Sequence, residues 1–169
     1  MKRSPGLGYV SAVTMALCLT AIARAAITEQ DRAFLIKAAQ ANVNEIRLSK
    51  LANARASRPE VKTFASKIVA DHQMLEKKLQ PFAMAWSVTL PRTLDPEHRA
   101  AYKKLRRLSG AAFDKAYMDT MATDHNATLV AFTHEADIVS DPDFKSTVIS
   151  EKSVIAAHTN MADDLKSKL

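Results

Sequence analysis

TEQDRAFLIKAAQANVNEIRLSKLANARASRPE, residues 28–60, decides the architecture. Thr28 opens the stretch with a hydroxyl able to cap free backbone N–H groups, and acidic side chains follow in the first turn. From Phe34 a stripe returns every three or four positions through Ala38, Ala41, Glu45, Leu48 and Ala52, the period of one helix face. The run lasts to about Ala56. Ser57-Arg58-Pro59-Glu60 then reads as a capping box, with proline in the first turn of a second helix. Two long helices joined by so short a turn form an antiparallel hairpin.

The rest of the chain repeats this pattern once. The second helix continues past Leu79, with Pro81 expected to kink or end it. A third is expected from about Ala111 to Val139. Asp141-Pro142 supplies an N-cap and a first-turn proline for a fourth, which runs almost to Leu169. Between the second and third lies Trp86 to Gly110. Its first part, Ser87 to Leu94, reads as extended. Asp95-Pro96-Glu97 caps a short helix ending near Leu108, and Gly110 fits just beyond its C-terminus. Two hairpins and a crossover long enough to travel the bundle make an all-α, ferritin-like four-helix bundle with a short extra helix. No internal repeat or low-complexity tract interrupts it.

The N-terminal residues read differently. Lys2 and Arg3 precede an uncharged apolar run from Tyr9 to Ala23, and Ala23-Arg24-Ala25 has the small-x-small pattern of a signal cleavage site. The expected organisation is a cleaved signal at residues 1–25 and a periplasmic bundle domain at 26–169. The apolar run falls short of the ~20 residues that span a bilayer, so no membrane span is expected after cleavage. Leu17 before Cys18 is too large for a lipid-attachment site. The whole chain carries 24 basic and 18 acidic residues. Lys2, Arg3 and Arg24 leave with the signal, so 21 basic side chains face 18 acidic ones, a net of +3. That balance argues against a nucleic-acid partner. The one cysteine leaves too, so stability rests on packing without a disulfide. Gly110 is the single glycine of 26–169, and such scarcity of turn formers points to long helices.

Polar residues interrupt every apolar stripe. On the second helix Val61, Phe64, Ile68, Leu75 and Leu79 flank His72. On the third, Met118, Met121, Leu129 and Phe132 flank His125. On the fourth, Phe144, Val148, Ile155 and Met161 flank His158, with Glu151 on the same face. A buried charge is costly unless paired or metal-bound. The heights agree as well. Glu45 and His72 lie about 12 and 14 positions from the first turn, His125 and His158 about 15 and 17 from the second. At ~1.5 Å rise per residue each pair differs by ~3 Å, roughly 18–26 Å from its turn.

Glu45, His72, His125 and His158 are therefore expected to converge. Three imidazoles and a carboxylate suit one Zn, Cu, Fe or Ni ion. The same four also suit a hydrogen-bonded polar network without metal. Glu151 is a candidate fifth member. Met118, Met121 and Met161 would favour Cu(I) as ligands, though methionine ordinarily fills cores.

Other polar features have simpler readings. His134, Glu135 and Asp124 fall off the stripe and are expected to be solvated. Asp95 before His98 is a helix cap. Lys103-Lys104-Leu105-Arg106-Arg107 reads as a wet basic face with a weak attraction for an anionic envelope surface. Asn126-Ala127-Thr128 matches a glycosylation sequon inside a helix. No phosphate-cradling glycine loop and no nucleophile with a base at recognisable spacing occurs, so an enzymatic role would take the form of a small metalloenzyme with an open coordination position and a path for substrate.

Several motifs stand together: Asn44-Glu45-Ile46; Val61-Lys62-x-Phe64-Ala65 leading to Asp71-His72; Leu108-Ser109-Gly110-Ala111-Ala112-Phe113-Asp114-x-x-Tyr117; Asp124-His125; and the late His158. In these the chain resembles the bacterial domain-of-unknown-function family numbered 4142, placed with the ferritin-like proteins. The likeness runs from about Asp31 to Leu165. It implies an exported helical bundle and little chemistry, since the family has no assigned function. Di-iron proteins of the ferritin-like class carry Glu-x-x-His on two helices and a further Glu on each of the others. Here Val69, Ala122 and Ile155 stand three residues before the core histidines, which argues against a di-iron centre. The residues thus allow a single-ion protein for metal sequestration or envelope stress protection, or a metal-free interaction protein.

Overall fold

The computed structural model describes residues 27–169; the expected signal segment 1–25, with Cys18, lies outside the described residues. Among these the chain forms five helices and no strand: α1 Glu29–Arg55, α2 Pro59–Ala85, α3 Pro96–Leu105, α4 Gly110–Ile138 and α5 Pro142–Ser167. Contacts join α1 to α2, α4 to α5, α1 to α4 and α2 to α5, so the four long helices stand in a square. No described helix is long and apolar enough to cross a membrane.

Hydrogen bonds at the two ends give the helix directions. At one end Arg32 of α1 donates to the Trp86 carbonyl just past α2. Ser140, past α4, donates its hydroxyl to Asp31 of α1 at 2.5 Å. At the other end Asp114 of α4 accepts from the turn between α1 and α2. Arg58 of that turn donates to the Lys168 carbonyl past α5. Neighbouring helices are therefore antiparallel, and the connection from α2 to α4 travels the length of the bundle.

The apolar core falls into two clusters. One joins Phe34, Leu75, Leu79, Trp86, Phe132 and Phe144 near the start of α1. The other joins Leu48, Phe64, Ile68, Phe113, Tyr117 and Met121 near its end. Between them, on all four long helices, lies a buried polar level.

Five local expectations are corrected. Pro81 does not end α2, which continues to Ala85. The proline sits on the exposed face, where water can reach the carbonyl it leaves unbonded. Beyond it Phe82 and Trp86 hold the last turn, each with its ring centroid 4.9 Å from that of Phe144. The helix ends where Ser87 turns left-handed (φ 55), with Val88 N–H donating to Ala83 and Ser87 N–H to Met84, a Schellman arrangement without glycine.

Second, the capping box at Ser57 is absent. Arg58 is the N-cap, without a side-chain cap. The fully buried Asp114 of α4 does the capping from outside, accepting from Ser57 N–H and Arg58 N–H at 2.9 Å each and from the Ser57 hydroxyl. Third, the short helix stops at Leu105, and Gly110 (φ 56) opens α4 rather than closing α3. Fourth, Glu135 is not solvated but 2% exposed, on the side of α4 that faces Asp31 of α1.

Asp124 is also not free in solvent: it belongs to the clasp that holds the crossover. Asp95 caps α3 as expected, accepting from His98 N–H at 2.8 Å. In addition the His98 ring bridges Asp95, 2.9 Å from Nδ1, and Asp124 of α4, 3.2 Å from Nε2. Asn44 of α1 completes the clasp by donating to Asp95 at 2.7 Å. The hydrogen bond to Asp124, opposed by burial and reinforced by Asp95, raises the His98 pKa to about 9.

Two consequences are measurable. Replacing Asp114 by alanine strips three donors of a buried charged acceptor, and urea unfolding should show a loss of ~3 kcal/mol, against ~1 kcal/mol for Ser57→Ala. Equal small losses would mean that water caps α2. The His98 pKa lies above its unfolded value of 6.5, so its contribution is full below that pH and fades as pH rises through about 9. The stability gap between wild type and His98→Gln should accordingly be largest at pH 6 and shrink by pH 9.5; a gap that does not change would refute the charged clasp.

Candidate metal centre

Each long helix sends one side chain to the level between the two apolar clusters. Glu45 comes from α1, His72 from α2, His125 from α4 and His158 from α5. They are 1%, 6%, 0% and 1% exposed. The convergence expected from spacing is present. His72, His125 and His158 each offer a ring nitrogen, and these three atoms lie within 4.8 Å of one another. The His72 and His158 rings are stacked at 5.6 Å, and His125 stands nearly edge-on to both, at 5.8 and 5.4 Å. Glu45 Oε2 lies 2.9 Å from His72 Nε2 and 3.3 Å from His125 Nε2.

The orientation of each ring has a local cause. His125 Nδ1 lies 2.9 Å from the Met121 carbonyl one turn back on α4, which makes Nδ1 the donor and leaves Nε2 with the lone pair. His158 Nε2 lies 2.7 Å from Asp71 of α2, which leaves Nδ1 as the free nitrogen. His72 directs Nε2 at Glu45. The remaining atoms, His125 Nε2, His158 Nδ1 and His72 Nδ1, are all buried without a hydrogen-bond partner among the described residues. Buried polar atoms are rarely left unsatisfied, and three on neighbouring rings require an explanation.

The charges are arranged consistently. Burial would raise the Glu45 pKa, but interaction with His125, His72 and His158 in their protonated forms, together with the His72 hydrogen bond, outweighs it and lowers the value to about 2. The carboxylate is ionised. Burial lowers the His158 pKa to about 4; the charges of His72 and His125 add to this, and the Asp71 hydrogen bond opposes it. That imidazole is neutral, the form that binds metal.

Glu151 and the methionines have other partners. Glu151 is buried on the expected face, and Lys78 of α2 reaches its Oε1 at 2.5 Å. Met121 Sδ lies 3.9 Å from the Ser49 hydroxyl, and Met118 is fully buried in the apolar cluster beside it. Ser49 also meets the buried Tyr117 hydroxyl at 2.8 Å.

Sequence reasoning missed Asp71 as a positioning residue. It is half-buried, held by Lys67 at 2.8 Å as well as by His158. Burial would raise its pKa, but the hydrogen bonds from Lys67 and His158 keep it below the usual carboxylate value. Asp71 lies beside His72 in sequence but points to the next helix, so the stripe on α2 does not contain it. The Lys67–Asp71 spacing of four was the available signal.

No curated protein matches the chain. The crystal structure of a DUF305 fragment from Deinococcus radiodurans is similar in fold: it aligns over 85% of this chain and 99% of its own length, with a TM-score of 0.75 and 14% identity. At that identity the likeness speaks for the fold alone. A family model described as domain of unknown function (DUF4142) matches residues 16–165, nearly the whole length, and the chain belongs to that family.

Proposed function

We propose that this is an exported, ferritin-like bundle that binds one transition-metal ion through His72, His125 and His158, with Glu45 as fourth ligand or charge partner. The observation that carries the reading is the pattern of the ring nitrogens. Each histidine directs one nitrogen at an oxygen and keeps the other buried and unbonded, and one nitrogen from each ring lies within 4.8 Å of the others. Metal-bound histidines characteristically donate their second N–H to a carboxylate or carbonyl in this way. Three imidazoles and a carboxylate suit Zn, Cu, Ni or Fe as divalent ions. The engagement of Met121 sulfur with Ser49 works against a thioether-rich Cu(I) site. Near-complete burial of all four residues suits storage or sequestration better than catalysis, which needs an open coordination position. The charged, small-x-small N-terminal segment supports export to the periplasm, where such a protein would protect the envelope from free metal.

The close contact of Glu45 with His72 favours a second reading, an ion-paired core without metal in a protein that acts through its surface. Elemental analysis of the 26–169 protein, purified without chelator or affinity tag, separates the two. Near-stoichiometric metal is expected in wild type and none in His72→Ala or His125→Ala, with folding of both variants checked by circular dichroism. Asp71→Asn, which leaves all ligands in place, should weaken affinity roughly 10–100-fold. Wild type that carries no metal and takes up neither added Zn nor Cu would sink the proposal.

A further inference from the structure

A concavity lies between α1, α2 and residues 88–92 of the crossover. It encloses about 550 Å3, within the range of small-molecule sites. Val43, Ile46, Val88 and Leu90 supply apolar wall, and Arg47, Lys50 and Arg92 supply cationic rim. Arg47 and Lys50 are three apart on α1 and so share a face one turn apart. Among the described residues none of these three cations has a carboxylate within ion-pair distance, whereas seven other Lys and Arg side chains do. Glu76 is the one acidic residue lining the cavity.

An independent observation points to a ligand. Asn42 lines the same cavity, is 2% exposed, and its Oδ1 has no hydrogen-bond partner among the described residues. A buried amide oxygen without a donor is costly, and it can accept from the hydroxyl of a monoprotonated phosphate head or a protonated carboxyl. Arg47 and Lys50 also line an adjoining groove of about 540 Å3 that leads under Thr93 and Leu94 to Arg99 and Tyr102. The two hollows form one elongated trough with cations at its middle.

We infer that this trough binds a small amphiphilic anion, an apolar chain bearing a phosphate or carboxylate head. The head sits among Arg47, Lys50 and Arg92 within reach of the Asn42 amide, and the chain covers Val43, Ile46, Val88 and Leu90. Guanidinium and ammonium groups together suit such oxyanions. The site is separate from the histidine level and does not depend on metal there.

Decyl phosphate below its micellar concentration is the first probe, titrated by calorimetry and by amide chemical shifts. One molecule per chain is expected, with shifts at residues 88–92 and along residues 39–50. Arg47→Gln/Lys50→Gln, both exposed positions that leave the fold intact, should weaken binding at least about tenfold. Asn42→Ala should weaken it with the rim cations unchanged. Inorganic phosphate, which has the head without the chain, should bind more weakly than decyl phosphate. Failure of decyl phosphate to saturate, unchanged affinity in the double variant, or equal affinity for inorganic phosphate would each overturn the inference. Binding only to phosphatidylglycerol vesicles, with none to the free amphiphile, would overturn it in favour of a charged surface.

Discussion

Burial of an ionised carboxylate among three imidazoles is the constraint around which the bundle is organised. Glu45 is 1% exposed and ionised, and an isolated charge so deep would cost several kcal/mol. Among the described residues it faces His72 and His125, with His158 beside them, so its accommodation depends on the other three long helices. Each helix must therefore present one particular residue at one particular height and angle. A shift of one residue along any of them turns its side chain by about 100° and moves it ~1.5 Å, out of reach of the others. The apolar clusters above and below are tolerant of such shifts, because one aliphatic contact resembles another. The polar level is not, and it sets the mutual register of the four helices.

Register is also set at the two ends, again by buried carboxylates that act between helices. Asp114 of α4 collects the free N–H groups at the start of α2, and Asp31 of α1 accepts from Ser140 beyond α4 while closing its own box with Thr28. Three polar layers, two terminal and one central, thus alternate with two apolar ones. The arrangement serves a chain whose residues 26–169 have one glycine and no cysteine. Thr28, Asp95 and Asp141 cap α1, α3 and α5 locally, whereas the start of α2 is secured by Asp114 from α4. The crossover is held in the same manner, by His98 between Asp95 and Asp124, and this clasp sits one residue from both Glu45 and His125 in sequence through Asn44 and Asp124. The outer strap and the inner level are consequently mounted on the same two helices.

Much of this was legible beforehand because it follows from short-range rules. The 3.6-residue period marked the buried stripes, Pro59, Pro96 and Pro142 marked helix starts, and counting from the two turns brought Glu45, His72, His125 and His158 to one height. The misreadings share a cause. Ser57 looks like a cap, but its hydroxyl is taken by Asp114, 57 positions away. Glu135 and Asp124 lie off the stripe of α4, yet a helix in a square of four touches two neighbours, and the crossover covers a third side. Pro81 signals a break, but packing of Phe82 and Trp86 against Phe144 carries α2 past it.

The sequence by itself determined which segments are helical, how they pair into hairpins, and that each carries one metal-capable side chain at mid-height, since all three depend on periodicity and chain length. Tertiary structure alone decided which nitrogen of each imidazole is free. That choice depends on the Met121 carbonyl at one ring and on Asp71, 87 positions from His158, at another. It also decided that Glu151 belongs to Lys78 and that Asn42 is left facing a cavity under the crossover. Hydrogen-bond partners between helices are set by distances of a few ångströms across the bundle, and no periodicity along a single helix encodes them.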